Sequence, residues 1–242
     1  MLRETVSSQI DHEPDFTWRG EDVTRIENLS DIVFALALGM LVSASSAPVT
    51  FSDLEAFLIS IVPISGAFLM LVSIWTTHFT FFRRYGLTDN TVIWLNGTLL
   101  FLVLYVAYPL RFAADSFFAY VLAMSGFPER IDAMEVGYAE AGIIMGYFAA
   151  GYAIIQLIYA AMHAHALRVK DRLALSQTEI VLTRRSVAMM LCRFILGVLV
   201  AILAANTVLS GFAGFLIWLA LPLDVIVNRV LKVPAAQAET GD

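Results

Sequence analysis

The segment from Arg25 to Ser46 reads RIENLSDIVFALALGMLVSASS, and it decides the fold of the chain. Its first residues are charged or hydroxylated, and an apolar run follows with no turn signal between them. Read as a helix, the segment places Ser30 and Asp31 at or inside a membrane boundary. An ionised carboxylate is costly there and is a candidate functional group.

One face of this predicted helix carries small and aliphatic side chains at i, i+3/i+4, i+7 spacing. This stripe consists of Leu36, Gly39 (or Met40) and Ser43. We expect the stripe to line an ion pathway. The alternative is a packing face for a neighbouring helix, since Ala35, Gly39 and Ser43 also have the small-xxx-small spacing that lets helices approach closely.

The composition supports a membrane protein. Of 242 residues, 59% are hydrophobic and 15% are charged, whereas soluble domains average about 45–50% and about 25%. The net charge of −6 and the lack of a basic cluster argue against a nucleic-acid partner. Cys192 is the single cysteine, which excludes an internal disulfide and a cysteine metal site.

Six apolar segments are long enough to cross a bilayer, for which a helix needs about 20 residues. They cover approximately residues 25–46, 56–82, 89–111, 136–162, 186–209 and 213–231. Pro63 and Gly66 are expected to kink the second span, and residues 112–136 form the longest connection. The segment 167–185 is charged and is expected to form a solvent-side hairpin.

The sequence therefore predicts an all-α polytopic protein made of one bundle. Residues 1–21 are expected to be a mobile polar tail, residues 22–233 a six-helix transmembrane domain and residues 234–242 a second tail. Both tails would lie on the same side of the membrane.

The basic residues predict which side this is. Of the 15 Lys and Arg residues, only Arg111 and Arg130 fall on the side opposite the tails, and Arg193 lies within a span. By the positive-inside rule, both termini are predicted to be cytoplasmic, with the protein in the plasma membrane.

Polar side chains inside the spans need partners on other helices. Asp31 is expected to accept a hydrogen bond from a neighbouring helix, the alternative being a helix-entry carboxylate near headgroup water. Trp75 and His78 share a face, and a pairing of His78 with Asp31 or Ser30 would satisfy two buried groups at once. The alternative is an interfacial histidine with a solvated tip. Asn96 is a similar candidate, because a buried amide needs a partner.

Motifs for enzyme chemistry are missing from the sequence. We find no nucleophile elbow, no phosphate-binding glycine loop and no metal-ligand spacing. His163 and His165 would point in divergent directions on a helix and are expected to lie at a membrane boundary rather than at a metal. The carbonyl filter sequence TVGYG of common potassium channels is also missing, so a channel would have to select ions with side chains. We expect no cofactor.

Arg25-x3-Leu29-Ser30-Asp31 resembles the R-x3-F-S-D signature of the first helix in the transmembrane protein 175 family. This family contains the lysosomal potassium channel of animals and its bacterial relatives. The similarity continues with Trp75-x2-His78, Asp89, Asn96 and Pro109. It covers residues 25–110, and the later spans agree only in number and polarity.

The resemblance implies a homotetramer of six-helix subunits, with the first helices around a central pore and no pore loop. By distance from Asp31, the narrowest ring would be Leu36, followed by Gly39 and Ser43. The resemblance also implies a network that orients the pore helix, consisting of Arg25, Ser30, Asp31, Trp75, His78 and Asn96.

Three residues depart from the family pattern. Leu29 replaces the signature phenylalanine, Gly39 stands where relatives often carry threonine, and Ser43 stands where a bulky aliphatic residue is common. The last two changes would widen and wet the pore beyond Leu36. We therefore expect a passive, potassium-preferring cation channel in which four Leu36 side chains form a constriction that can gate by dewetting.

Two alternatives remain open from the sequence. The first is a proton-conducting or pH-sensing channel that uses His78 and Asp31, since a histidine can change its charge near neutral pH. The second is a small-solute transporter or membrane scaffold whose polar residues only hold helices together.

Overall fold

The computed structural model describes residues 16–20, 22–43, 48–205, 225–227 and 230. This part of the chain is helical and contains no strand. The helices are α1 (Arg25–Ser43), α2 (Phe51–Ile59), α3 (Ile61–Tyr85), α4 (Asn90–Met124), α5 (Glu129–Ala133), α6 (Tyr138–Arg168) and α7 (Gln177–Ala204). Five of them, α1, α3, α4, α6 and α7, are long and apolar enough to cross a membrane. The sixth predicted span, near residues 213–231, lies largely outside the described residues.

Side-chain caps lie at the start of four of these helices, α1, α2, α4 and α7. Thr24 and Glu27 form a reciprocal pair at the start of α1, with Thr24 N donating to Glu27 Oε1 at 3.0 Å and Glu27 N donating to Thr24 Oγ1 at 3.3 Å. Ser176 and Glu179 form the same capping box at α7. Asp89 caps α4 by accepting from Val92 N at 3.1 Å.

The second predicted span is divided into two helices at Ser60, three residues before Pro63. Ser60 adopts φ −69° and ψ −4° between α2 and α3, and its hydroxyl donates to Phe57 O at 2.7 Å. Pro63 lies in the first turn of α3. A proline is tolerated there because its missing N–H would have no partner within the helix.

The third and fifth spans are longer than the sequence indicated. Helix α4 continues for 35 residues through Pro109 to Met124, so most of the predicted connection 112–136 is helical. Helix α7 begins at Gln177 rather than near residue 186, since the capping box at Ser176 starts the helix in the charged segment that we expected to be a hairpin.

Helices α1, α3 and α4 form one side of the core. Phe34, Ala37 and Leu41 on α1 are buried, as are Leu71 on α3 and Leu99 on α4. This packing gives α1 one buried face and one face directed away from the rest of the chain.

Helices α6 and α7 pack closely along their length. Around Gly197 the helices come so near that an added Cβ would meet Ala153 Cβ at 2.9 Å and Ala149 O at 3.1 Å. A side chain at this position would therefore force the two helices apart.

Residues 16–20 pack on the helices, although the sequence analysis placed them in the mobile tail. Phe16 is 5% exposed and meets Tyr85 edge to face, with ring centroids 5.4 Å apart. Arg19 binds both carboxylate oxygens of Glu179 at 2.8 Å. This segment therefore joins the end of α3 to the start of α7.

Candidate ion pathway and the contacts that position α1

The predicted stripe lies on the face of α1 that is directed away from the rest of the chain. Leu36 is 55% exposed and Ile32, one turn earlier, is 66% exposed. Gly39 and Ser43 are also exposed, whereas Met40 is half-buried at the edge of the stripe. Gly39, rather than Met40, therefore continues the line from Leu36 to Ser43.

The polar residues near the start of α1 make lipid an unfavourable partner for this exposed face. Arg25, Asn28 and Asp31 are exposed at the end where α1 begins, and ionisable groups facing hydrocarbon are costly. Water, headgroups or protein are therefore more favourable than acyl chains at this end of α1. Ile32 was missed in the sequence analysis, although its i, i+4 spacing to Leu36 marks it as a member of the same line.

Asp31 forms a hydrogen bond with α3. Trp75 Nε1 donates to Asp31 Oδ1 at 2.8 Å, so the carboxylate has the partner on a neighbouring helix that the sequence analysis expected. The same indole lies 5.6 Å from the ring of Phe79, which restrains its orientation. This contact joins α1 to α3 one turn before Leu36.

Ser30, Asn96 and His78 form a buried hydrogen-bonded chain across three helices. Asn96 Nδ2 on α4 donates to Ser30 Oγ on α1 at 3.0 Å. Asn96 Oδ1 lies 2.8 Å from His78 Nε2 on α3. Ser30 Oγ in turn donates to Ile26 O at 2.8 Å. All of these groups are satisfied within the core.

The direct pairing of His78 with Asp31 or Ser30 was wrong. Asn96 lies between His78 and Ser30, because an amide can donate through its nitrogen and accept through its oxygen. His78 is 2% exposed and lies beside the rings of Phe34 and Phe82, whose centroids are 5.6 and 4.7 Å away. The ring is therefore held away from the exposed stripe.

Arg25 lies outside this network within the described part of the chain, since its side chain is exposed. The charge pair at this end of α1 is instead Glu27 with Arg83 of α3. Both side chains are buried, and Arg83 Nη1 also donates to Gly20 O at 2.6 Å. The spacing Thr24-x-x-Glu27, typical of a capping box, was the signal in the sequence for the role of Glu27.

Arg111 holds the other end of α1. Its Nη1 lies 3.3 Å from Leu41 O and 3.4 Å from Val42 O, and its Nη2 lies 3.4 Å from Ser60 Oγ. A cation near the last carbonyl groups of a helix complements the helix dipole. From the sequence, Arg111 was predicted to lie at the end of a span, and its contact with α1 was not predicted.

Asp89 and His165 connect the start of α4 to the end of α6. His165 Nε2 lies 2.7 Å from Asp89 Oδ2. Burial alone would raise the pKa of Asp89, but hydrogen bonds from His165 and from Val92 N outweigh it and hold the pKa below the usual 3.8. His163 is buried and bonds to Tyr159 O through Nδ1 at 2.9 Å, so the two histidines have separate partners.

Among the described residues, no three His, Cys, Asp or Glu side chains are placed to hold a metal ion. The polar groups described above instead lie between helices, where they connect α1 with α3 and α4, and α4 with α6. These contacts fix α1 near both of its ends. They leave a line of aliphatic, glycine and serine residues exposed on this helix.

Comparisons with known proteins identify potassium channels to which this chain is similar. Residues 25–107 match the family model for the endosomal/lysosomal potassium channel TMEM175. A potassium channel of Marivirga tractuosa is 31% identical over 239 residues, which cover 95% of this chain and 96% of the relative. The fold is similar to the crystal structure of a variant of the potassium channel MtTMEM175 in complex with a nanobody–MBP fusion protein. That match has a TM-score of 0.79 and 32% identity, and it covers 90% of this chain and 97% of the other.

Proposed function

The chain belongs to the family of the endosomal/lysosomal potassium channel TMEM175, and from this we infer that it is a passive, potassium-preferring cation channel rather than an enzyme. The two relatives described above are both potassium channels. The five long apolar helices of the described residues give the chain the multi-pass architecture that conduction across a bilayer requires.

We propose that α1 lines a central pore in a homotetramer, with Leu36 as the narrowest ring. The observation that supports this most directly is the exposed line of Ile32, Leu36, Gly39 and Ser43 on a helix whose opposite face is buried. Four copies of this line around an axis would enclose a conduit made of side chains. Gly39 and Ser43 would form wider and wetter rings than Leu36.

Ion passage through such a constriction depends on hydration. A leucine ring has no oxygen that can replace water lost by a cation, so a narrow ring excludes water and ions until it widens. A small lateral movement of α1 would change the ring diameter. The contacts of Asp31 with Trp75 and of Ser30 with Asn96 would therefore influence the diameter of the Leu36 ring, since they set the position of α1.

We further propose that the protein resides in the plasma membrane with both termini in the cytoplasm. The distribution of Lys and Arg in the sequence supports this orientation through the positive-inside rule. In this orientation Arg83 and Arg84 lie at the cytoplasmic end of α3, and Arg111 lies near the outer end of α1.

Electrical recording of reconstituted protein under a potassium gradient tests the assignment of Leu36. Leu36→Ala is expected to raise the conductance and to move the reversal potential in mixed potassium and sodium toward zero, because the ring widens. Leu69→Ala is the matched control, since Leu69 is 66% exposed on α3 and outside the stripe. Unchanged conductance and selectivity in Leu36→Ala would show that Leu36 does not line the pore.

The mass of the detergent-solubilised complex tests the assembly. Four subunits are expected, because a central conduit needs several copies of α1 around one axis. A stable monomer that still conducts would contradict the tetramer and would place the pathway within one chain.

A further inference from the structure

Residues 16–20, which we call the N-terminal strap, lie across the last turn of α3. Arg19 N and Gly20 N both donate to Arg83 O at 3.0 Å. The guanidinium of Arg83 in turn donates to Gly20 O at 2.6 Å. Hydrogen bonds therefore run in both directions between the strap and α3, and they hold the strap against the end of this helix.

Two glycines make this close approach possible. An added Cβ at Gly20 would meet Phe82 O at 2.4 Å, and one at Gly86 would meet Arg19 O at 3.1 Å. Gly86 also ends α3 with a φ of 57°, a conformation that glycine adopts without strain. A side chain at Gly20 would therefore push the strap away from α3.

Arg19 binds the strap to α7 and to the connection that precedes it. Its guanidinium donates to both carboxylate oxygens of Glu179 at 2.8 Å, and its Nε donates to Leu173 O at 2.8 Å. Thr17 N adds a bond to Glu179 Oε1 at 3.0 Å. Glu179 is 2% exposed, and a buried carboxylate is costly unless it is paired and hydrogen-bonded. The start of α7 and the strap therefore depend on each other.

The strap leads directly into α1. Gly20 lies four residues before Thr24, whose side chain caps α1. Arg83, which binds Gly20 O, also pairs with Glu27 in the first turn of α1. Both members of this pair are buried, so salt screens them little. The position of the strap therefore sets the position of the first turn of α1, through the chain itself and through Arg83.

Contacts at both ends determine the tilt of α1. The strap and Arg83 act at its start, and Arg111 binds Leu41 O near its end. Leu36 lies between these points, about 18 Å from Thr24 at about 1.5 Å per residue. If the start were released, α1 would tilt about its other end, and Leu36 would move with it.

We propose that Arg19 is a positioning residue for the ion pathway, because it ties the strap to α7 and the strap fixes the tilt of α1. The proposal rests on the proposed assignment of α1 to the pore. A displacement of α7 against α3 would reach α1 through the strap and would change how often the Leu36 ring opens.

The contacts of Ser30 and Asp31 determine which property of the current should change. They hold the middle of α1 against α4 and α3 and do not involve the strap. Release of the strap should therefore leave the mean position of α1 unchanged and increase the extent of its movement. We expect the Leu36 ring to open more often, while the open pore keeps its width.

Single-channel recording of the reconstituted full-length protein tests the role of Arg19. Arg19→Gln removes the paired bonds to Glu179 and is expected to raise the open probability about threefold, within the range typical of residues that act on a distant site. The unitary conductance and the reversal potential should stay unchanged, because the side chains of the exposed line on α1 are intact. Arg184→Gln is the matched control, since Arg184 is exposed on α7 five residues after Glu179, and it should leave the open probability unchanged.

A double-mutant cycle shows whether the effect passes through Glu179. Glu179→Gln removes the charge but keeps the capping box with Ser176, because glutamine also serves at this position. In the Glu179→Gln background, Arg19→Gln should raise the open probability by a smaller factor than it does in the wild-type protein. Equal factors in the two backgrounds would mean that Arg19 does not act through α7, and would overturn the proposal.

Gly20→Ala moves the strap without removing a charge. The new methyl group would lie 2.4 Å from Phe82 O, so the strap has to leave the end of α3. We expect the open probability to rise, as in Arg19→Gln, again at unchanged unitary conductance. Gly66→Ala is the matched control on α3, because an added Cβ at Gly66 meets no atom within 4 Å.

An unchanged or lowered open probability in Gly20→Ala or in a folded Arg19→Gln variant would overturn the proposal, as would an equal rise in Arg184→Gln or Gly66→Ala. If Arg19→Gln does not fold, Gly20→Ala and its control decide the question. Failure of the pore assignment gives a different result, because it appears as unchanged conductance in Leu36→Ala. If Leu36→Ala alters the conductance and neither strap variant alters the open probability, the pore assignment stands and the role of the strap is refuted.

Discussion

Trp75 Nε1 of α3 lies 2.8 Å from Asp31 Oδ1 of α1, and Asp31 is about one turn away from Leu36 on the same helix. The indole therefore holds α1 close to the position where the proposed constriction forms. Helix α3 in turn bonds to α4 through His78 and Asn96. The position of α1 thus depends on its neighbours, through a few polar contacts whose removal has measurable effects.

Trp75→Phe removes the indole N–H and keeps an aromatic ring. Because the lost bond is charge-assisted but partly exposed, we expect a destabilisation of about 1 kcal/mol, together with a less selective current. Thermal unfolding in detergent and the reversal potential measure the two effects. Trp94→Phe is the matched control, since Trp94 is 78% exposed on α4. Equal effects of the two substitutions would show that the bond to Asp31 does not position α1.

Asn96→Leu removes the amide that bridges His78 and Ser30. The buried imidazole loses its partner on α4, and a buried polar group left unpaired costs about 1–3 kcal/mol. We expect thermal unfolding in detergent to show a destabilisation in this range.

A double-mutant cycle with His78→Phe separates the bond from the packing. In the Asn96→Leu background, His78→Phe should cost less than it does in the wild-type protein, because no unpaired imidazole remains. The expected coupling is about 0.6–1.7 kcal/mol, the range measured for hydrogen bonds between membrane helices. Additive effects would mean that the two side chains contribute independently.

Arg111→Gln releases the last turn of α1. The guanidinium contacts with Leu41 O and Val42 O would be lost, and a cation at a helix end contributes up to about 2 kcal/mol in partly buried sites. A domain of this size would then unfold about 2–8 °C lower, at about 2–4 °C per kcal/mol. Arg168→Gln, at an exposed position in the last turn of α6, is the control that should leave the unfolding temperature unchanged.

Arg111 also explains why the sequence predicted some parts of the fold and not others. A charged residue after an apolar run indicates the end of a span, so α4 was predicted to stop near residue 111, yet it continues to Met124. The arginine is tolerated inside the helix because carbonyl groups of α1, Ser60 and Asp115 surround it. Asp115 is four residues away on the same helix, but the carbonyl groups of α1 and Ser60 lie far away in the chain and cannot be recognised from local composition.

The polar cluster around α1 shows the same limit. Residue types identified Ser30, Asp31, Trp75, His78 and Asn96 as groups that need partners, because each carries polar atoms inside an apolar segment. The pairs themselves depend on how α1, α3 and α4 are rotated and shifted against each other. A single sequence does not determine that register, and so the direct pairing of His78 with Ser30 or Asp31 was wrong.

Family membership, by contrast, could be predicted from the order of a few motifs. Arg25-x3-Leu29-Ser30-Asp31, followed in order by Trp75-x2-His78, Asp89, Asn96 and Pro109, indicated the potassium channel family, and the comparisons confirm it. The roles of Leu36, Gly39 and Ser43 remain predictions, since their exposed positions agree with a pore but depend on an assembly of several chains.

The contact between Asp89 and His165 predicts how stability changes in acid. The pKa of Asp89 is below its usual 3.8 in the folded protein, so the folded state favours the ionised carboxylate more than the unfolded chain does. This contribution is fully present above pH 3.8 and is lost as the pH falls through the folded pKa. Asp89→Asn keeps a helix N-cap and removes the titration.

We therefore expect Asp89→Asn to unfold below the wild-type protein at pH 6 and to approach it as the pH falls below 3.8. Because the carboxylate is partly solvated, the difference at pH 6 should be below about 1 kcal/mol, or about 2–4 °C. Thermal unfolding in detergent at a series of pH values measures it. Asp53→Asn is a comparison variant, since hydrogen bonds from Thr50 and Val49 also lower the pKa of the Asp53 carboxylate in the wild-type protein, but Asp53 joins no second long helix. A constant difference between Asp89→Asn and wild-type protein across this pH range would show that the ionised carboxylate does not hold α6 against α4.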